Sequence, residues 1–288
     1  MKYAYIHNHR PMWQLRMMCR LLGVSKSGYF AWSHRPESHR TITDRSITLQ
    51  IEAIHVKSRR TYGSPRVHKE LVANGLEIGR RRVERLMKAV GINAKPPKRF
   101  VTTTDSNHDD PIADDLIQQH FSAEAQDQRW VTDITYVHTD EGWLFVSAIM
   151  DLFSRRIVGW AMGPTMHRSL VLRALDMAVT ERCPEPGLIH HSDRGSQYAS
   201  LEYRDALSAQ GMIASMSRKA CCYDNAAMES FWHTLKNELI HRQNFQTRSQ
   251  AQLSIFEYIE VFYNRVRRHS SIGYVSPAQF ELQRPAAA

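Results

Sequence analysis

Three acidic side chains stand where their carboxylates could converge. Asp133 lies in the middle of RWVTDITYVH (129–138), among Trp130, Val131, Ile134 and Tyr136. Aspartate is depleted in strands, and a buried carboxylate is costly unless it is paired or bound to a metal. Asp193 falls in HHSDRGSQY (190–198), just after Leu188 and Ile189. A short apolar run ending in Asp-x-Gly reads as a strand that stops and turns. Glu229 sits in NAAMESFWHTLKNEL (225–239), next to a stripe of Met228, Phe231, Trp232, Leu235 and Leu239 at helical spacing. His233 and Lys236 follow it at i+4 and i+7, so these three line one side of the helix. Singly, Asp193 reads as an ordinary solvated turn residue, and Glu229, His233 and Lys236 as an exposed helix face. Together, two aspartates on strands and a glutamate on a helix offer only oxygen ligands, which suit Mg²⁺ or Mn²⁺ and not zinc. Two such ions can activate an attacking oxygen and stabilise the leaving oxygen of a phosphodiester.

The elements that must position these acids form the second half of the chain. RWVTDITYVH, WLFVSAIMDLFS (143–154) and RIVGWAM (156–162) are rich in β-branched and aromatic residues and read as three strands of an antiparallel meander, with Asp140, Glu141 and Gly142 as the first turn. A helix over about 169–180 leads to the strand that ends at HHSDRG. A helix over about 200–210, a strand at 212–217 and the helix from Asn225 follow. Three strands, helix, strand, helix, strand, helices is the order of a mixed sheet covered by helices. In such a sheet a mid-strand residue and a neighbouring strand tip can lie side by side.

The first half differs in composition. Residues 1–99 hold 21 Lys and Arg against 6 Asp and Glu, a balance of +15, whereas the remaining residues hold 17 against 23, a balance of −6. A basic front half suits a module that meets a polyanion, most simply nucleic acid. Residues 12–32 read as two short helices around Gly23, the second capped by Ser25. Helices follow at 43–60, with Ile47, Ile51 and Ile54 on one face, at about 66–73, and from Arg80, with Val83, Leu86, Met87 and Val90 inward. Arg80, Arg81, Arg82 and Arg85 crowd the start of that last helix, where the helix dipole disfavours cations. A helix, a Gly-containing turn and a helix with a basic start is how helix-turn-helix proteins present side chains to a DNA groove. The stretch 100–128 carries seven acids and no Lys or Arg, the composition of a linker that repels phosphate. The predicted boundaries are therefore a helical segment at 1–38, a basic helix-turn-helix-like domain at 39–99, an acidic linker at 100–122 and a catalytic core with a helical tail at 123–283.

No run approaches the length of a membrane span, and MKYAYIHNHR lacks an apolar secretory core. The expected location is the cytoplasm, on the nucleoid when bound to DNA. Cys19, Cys183, Cys221 and Cys222 show no zinc spacing and read as free thiols.

Several motifs now align with one family. An aspartate in WVTDITY, an aspartate in HSDRGSQY and, with 35 residues between, a glutamate in DNAAMES resemble the acid triplet of DDE transposases and retroviral integrases. The tail YNRVRRHSSIGYVSPAQFE (263–281) resembles the end of insertion-sequence-three transposases, and the resemblance covers about 40–283. It implies an RNase-H-like mixed five-stranded sheet after an all-α helix-turn-helix-like region, with Asp133, Asp193 and Glu229 holding two Mg²⁺ or Mn²⁺ ions. It implies that Lys236 touches DNA near the scissile end. In such enzymes water cuts one strand and the freed 3′-hydroxyl attacks a target phosphate, without a covalent protein–DNA intermediate. His190 and His191 alternate in direction along a strand, so at most one faces the site. Both are expected as supporting residues, with Asn225 and His233. Tyr263, Asn264, His269 and Ser270 match the tail, where packing and DNA contact remain equal readings. The implied partners are the terminal inverted repeats and target DNA, a homo-oligomer on that DNA, and an upstream-frame DNA-binding protein, alone or as a frameshift fusion. A metal nuclease of similar fold and a non-catalytic DNA-binding regulator are the alternative functions.

Overall fold

A computed structural model describes residues 1–93, 111–218 and 225–284. Six helices come first: α1 (Lys2–His9), α2 (Leu15–Leu21), α3 (Lys26–Ser33), α4 (His39–Lys57), α5 (Ser64–Ala73) and α6 (Arg80–Ala89). Ser25 caps α3 as expected, its hydroxyl accepting from the Gly28 amide at 2.9 Å. Helix α1 was not anticipated. It buries a single apolar side chain, Ile6, in a small cluster with Met18, Cys19 and Tyr29, too little for a periodic signal. Val90 is exposed, not inward, because α6 ends one residue before it.

The arginines of α6 have partners within the chain. Arg82 and Arg85 grip the two carboxylate oxygens of Asp44 on α4 at 2.8 and 2.6 Å, and Arg80 pairs with Glu84 one turn on. The grip ties α6 to α4 over an apolar centre of Ile47, Ile51, Val67, Leu71, Val83 and Leu86.

The second half folds as the sequence order requires. Strands β1 (Arg129–Thr139), β2 (Gly142–Asp151) and β3 (Ile157–Gly163) form the antiparallel meander. Strands β4 (Ile189–Ser192) and β5 (Ile213–Met216) add in parallel, giving the order β3-β2-β1-β4-β5. This is the expected RNase-H-like mixed five-stranded sheet with flanking helices. Strand β2 stops at Asp151, three residues early, because the Asp151 carboxylate accepts from the Phe153 amide and starts a turn. Side-chain alternation feeds two cores. Trp130, Ile149 and Val158 pack under α7 (Arg168–Arg182), α8 (Ser196–Ala199) and α9 (Leu201–Ala209). Val131, Ala148 and Ile157 pack under α10 (Ala226–Glu238) and α11 (Arg248–Glu257) on the other face. The chain then runs through a π-helical turn (Tyr258–Tyr263) to α12 (Pro277–Gln283).

Part of the predicted linker, 94–110, lies outside the described residues, as do Cys221 and Cys222. Residues 111–122 do not cross solvent. Ile117 is buried, the Leu116 amide donates to Ser215 Oγ at 2.9 Å, and the Met216 amide donates to the Asp114 carbonyl, so this stretch lies along β5. Cys19 and Cys183 are free thiols. Among the described residues no helix is long and apolar enough to cross a membrane.

The helical domain is fastened to the tail of the chain. The Arg268 amide donates to the Tyr62 hydroxyl at 2.7 Å, and Arg66 Nε donates to the Arg268 carbonyl at 2.9 Å. The Arg268 guanidinium pairs with Glu70, and Arg59 pairs with Glu257 at 2.6 Å.

Strand β3 meets α7 at Gly159, where an added Cβ would press on the Ala174 carbonyl and lie 2.7 Å from the Ala178 Cβ. Gly159→Ala is expected to cost about 1–3 kcal/mol of stability through overpacking, read from chemical denaturation. An unchanged midpoint would mean that the β3–α7 contact yields freely.

Candidate active site

The site starts from strand register. β1 and β4 run parallel with Trp130 beside His190 and Val131 beside His191. Carried two residues on, to Asp133 within β1 and Asp193 just past the end of β4, this alignment brings the two aspartates to neighbouring places, and Asp133 feels the Asp193 charge. The third acid comes from across the sheet, where α10 packs Met228, Phe231, Trp232 and Leu235 into the core and leaves Glu229 at its first turn.

Each aspartate is held by a few donors. Asp133 Oδ1 accepts from the Ile134 amide at 2.8 Å, and Oδ2 accepts from Trp232 Nε1 at 3.0 Å. Asp193 Oδ1 accepts from the Gly195 amide at 2.9 Å, closing the turn after β4. Burial, with the charges of Asp193 and then Glu229, pushes the Asp133 carboxyl up to about 8. Burial alone raises Glu229, and among the charges acting on Asp133 that of Asp193 weighs more than that of Glu229. Among the described residues no three His, Cys, Asp or Glu side chains are drawn together tightly enough to form a ready metal cage. The three acids share one electrostatic neighbourhood without closing on a common point, as expected of carboxylates that repel one another.

Lys236 is not the solvated lysine of an exposed helix face. It is only 7% exposed, with Nζ 5.2 Å from the centre of the Tyr136 ring. Burial lowers its pKa, and the Asp133 charge opposes that shift. His233 pairs with Asn237 at 2.8 Å on the same helix. Asn225, just before α10, donates from Nδ2 to the Thr132 carbonyl at 3.1 Å and so ties the helix start to β1.

The two histidines of β4 are both engaged in the scaffold. His190 Nε2 meets the Tyr203 hydroxyl at 2.7 Å, and burial drops its pKa to about 3, so it is neutral. His191 bridges to β5, with Nδ1 2.8 Å from Ser215 Oγ and Nε2 3.2 Å from Ser217 Oγ. Sequence reasoning missed Trp232, which it counted only as core. Its position three residues after Glu229 was the available signal, since i and i+3 neighbour each other on a helix. It also missed Tyr198, whose hydroxyl lies 3.3 Å from Thr132 Oγ1 and senses the charges of both aspartates.

Residues 123–222 match the integrase core domain family, 229–284 match a second integrase core domain family, and 42–100 match the HTH-like domain family. The chain is 48% identical to the insertion element IS600 uncharacterized 31 kDa protein of Shigella sonnei, over 91% of this chain and 97% of that one. It is 40% identical to the transposase InsF for insertion sequence IS3A of Escherichia coli (strain K12), over 98% of each. A solved structure of the HTLV-2 integrase catalytic core domain in complex with magnesium is similar at a TM-score of 0.43 and 13% identity, covering 55% of this chain and 98% of that one. The chain belongs to the transposase family of insertion sequence IS3.

The raised Asp133 gives a stability signature. Between its ordinary 3.8 and about 8, the folded chain holds a proton that the unfolded chain releases, so stability falls as pH rises through that window. Asp193→Asn keeps an oxygen for the Gly195 amide and removes the neighbouring charge. In chelator it is expected to gain on the order of 1 kcal/mol over wild type near the upper end of the window, with the gain closing toward the lower end. Identical melting across the window would show that the two carboxylates do not sense each other.

Proposed function

We propose that the chain cuts and joins DNA strands at the ends of an insertion sequence, with Asp133, Asp193 and Glu229 as its catalytic centre. The observation that carries this reading is that Asp133 on β1 feels the charges of Asp193, one residue past the end of the parallel neighbour β4, and of Glu229 in the first turn of α10. Three carboxylates in one electrostatic neighbourhood, one of them pushed up to about 8 by burial and its neighbours, are more easily charged together with a cation among them. An all-oxygen donor set fits a hard divalent ion. Asp133, Asp193 and Glu229 would hold Mg²⁺ or Mn²⁺, as two ions, and when bound these stabilise the attacking and leaving oxygens of a phosphodiester.

The remaining residues orient the trio. Trp232 Nε1 and the Ile134 amide fix the Asp133 carboxylate, and the Gly195 amide fixes that of Asp193. Neutral His190 and the His191 bridge to β5 hold the β4 tip on which Asp193 sits. Asn225 anchors the start of α10, and His233 braces its second turn. Lys236 supplies positive charge at the edge of the acids, where the DNA strand near its scissile phosphate would meet it.

The helical domain is the proposed DNA reader. Arg82 and Arg85 are engaged with Asp44 on α4, which assigns them first to holding the helix pair, and Arg80 pairs with Glu84 within α6. Arg81 is exposed and has no ion pair among the described residues, so it is the arginine of α6 placed to reach phosphate. Joining two DNA ends calls for a homo-oligomer on DNA, and an upstream-frame protein, separate or fused, is the proposed source of further end recognition.

The test uses a branched DNA that mimics the joined product. Wild type with Mg²⁺ or Mn²⁺ is expected to reseal it, and chelator to stop the reaction. Asp193→Asn is expected to bind the same DNA comparably and to reseal none, because the amide is a poor ligand for such ions. Resealing by Asp193→Asn would remove that residue from the centre. Cutting without resealing by wild type would leave a nuclease.

A further inference from the structure

A second crevice opens on a different side of α10. Glu229, His233 and Lys236 face the acid site, whereas Ala226, Ser230 and Thr234, at i, i+4 and i+8, line a cavity of about 320 Å³. Its other walls are the turn after β2, which supplies Arg155, helix α5, which supplies Arg66, and the tail, which supplies Arg267 and Ser270. No Asp or Glu lines it among the described residues.

The charges in these walls do not balance. Arg267 donates to both oxygens of Glu238, from Nε at 2.8 Å and Nη2 at 2.9 Å. Arg66 reaches the same carboxylate at 3.9 Å. One carboxylate thus serves two guanidiniums. Arg155 has no carboxylate within ion-pair reach among the described residues. Its Nη2 donates to the Phe121 carbonyl at 2.8 Å, and its other donors have no protein acceptor there. His269 adds no charge, because burial and the neighbouring Arg267 and Arg66 hold its pKa far below the ordinary value. The hydroxyls of Ser230 and Thr234 have no hydrogen-bond partner among the described residues. Asn225 does not close the α10 N-terminus with its side chain: its Nδ2 donates to Thr132, and its Oδ1 accepts no hydrogen bond among the described residues. The crevice is therefore lined by donors and surplus positive charge, with no competing acid.

We propose that this crevice binds a phosphate group, with Arg155 as the principal charge and Ser230 and Thr234 as hydroxyl donors. Guanidiniums and hydroxyls around a helix start are the chemistry that recognises a tetrahedral oxyanion. The phosphate is either a backbone phosphodiester of bound DNA or a free phosphate. The DNA source rests on the strand-transfer reading above, and phosphate binding itself does not. As a DNA contact, the crevice would grip the strand one side of α10 away from the acids. It would also give the HSS of the tail motif a role that packing alone leaves open.

Two variants of the full chain test this without relying on catalysis. Arg155→Gln removes the charge. Ser230→Glu, at an exposed helix position with no packing role, places a carboxylate in the mouth of the crevice and covers the case in which Arg155→Gln misfolds. Binding to a generic duplex is measured by anisotropy across a salt series in chelator. Inorganic phosphate is tested separately by thermal shift against chloride at equal ionic strength. For a DNA phosphate, both variants are expected to weaken duplex binding about tenfold and to lower the salt slope by about one. For a free phosphate, wild type alone is expected to be stabilised by phosphate, with duplex binding unchanged in the variants. If the variants match wild type in both measurements, the crevice is not a phosphate site, whatever the outcome at the three acids.

Discussion

Two carboxylates brought together by adjacent parallel strands, one within β1 and one just past the tip of β4, are the constraint to which the rest of the second half answers. A parallel pair cannot be joined by a tight hairpin, so β1 and β4 need a long crossover, supplied here by the meander and α7. The register then fixes Asp133 beside Asp193, and a shift of one residue would send one of them to the opposite face. The scaffold around the β4 tip is accordingly rigid. His190 and His191 are tied down on opposite faces, to α9 and to β5.

Helix α10 carries several tasks on separate faces. One face fills the core, and a second presents Glu229 with Lys236. A third lines the arginine-rich crevice. Trp232 shows how closely these faces cooperate, because its ring packs with Phe231 while its indole N–H reaches Asp133. A small rotation of this helix would disturb core, acids and crevice together.

Much of this was legible in the sequence where a signal is local. Alternation and turn residues located all five strands, and helical spacing identified the buried stripe of α10. What failed were inferences that needed a distant partner. Arg82 and Arg85 looked unpartnered at an unfavourable helix start, yet both share the carboxylate of Asp44, 38 and 41 residues earlier. Lys236 gave no sign of its burial under Tyr136, a residue from another strand. Periodicity assigns a whole side chain to core or surface, so it could not show that the Trp232 ring is core while its N–H is part of the site. The acidic stretch read as linker has Ile117 in its midst, one apolar anchor that composition averaged away.

The fastening of the helical domain to the tail has a consequence in time. Its partners stand about 200 residues apart in the chain, as with Arg59 and Glu257 or Tyr62 and Arg268. Chains emerge from the ribosome N-terminus first, and domains begin folding as they emerge. The helical domain thus forms early but has no seat until the tail is made. The geometry that relates DNA reader to acid site is among the last features to be completed, so a prematurely terminated chain would carry a folded reader with nothing to hold it over the sheet.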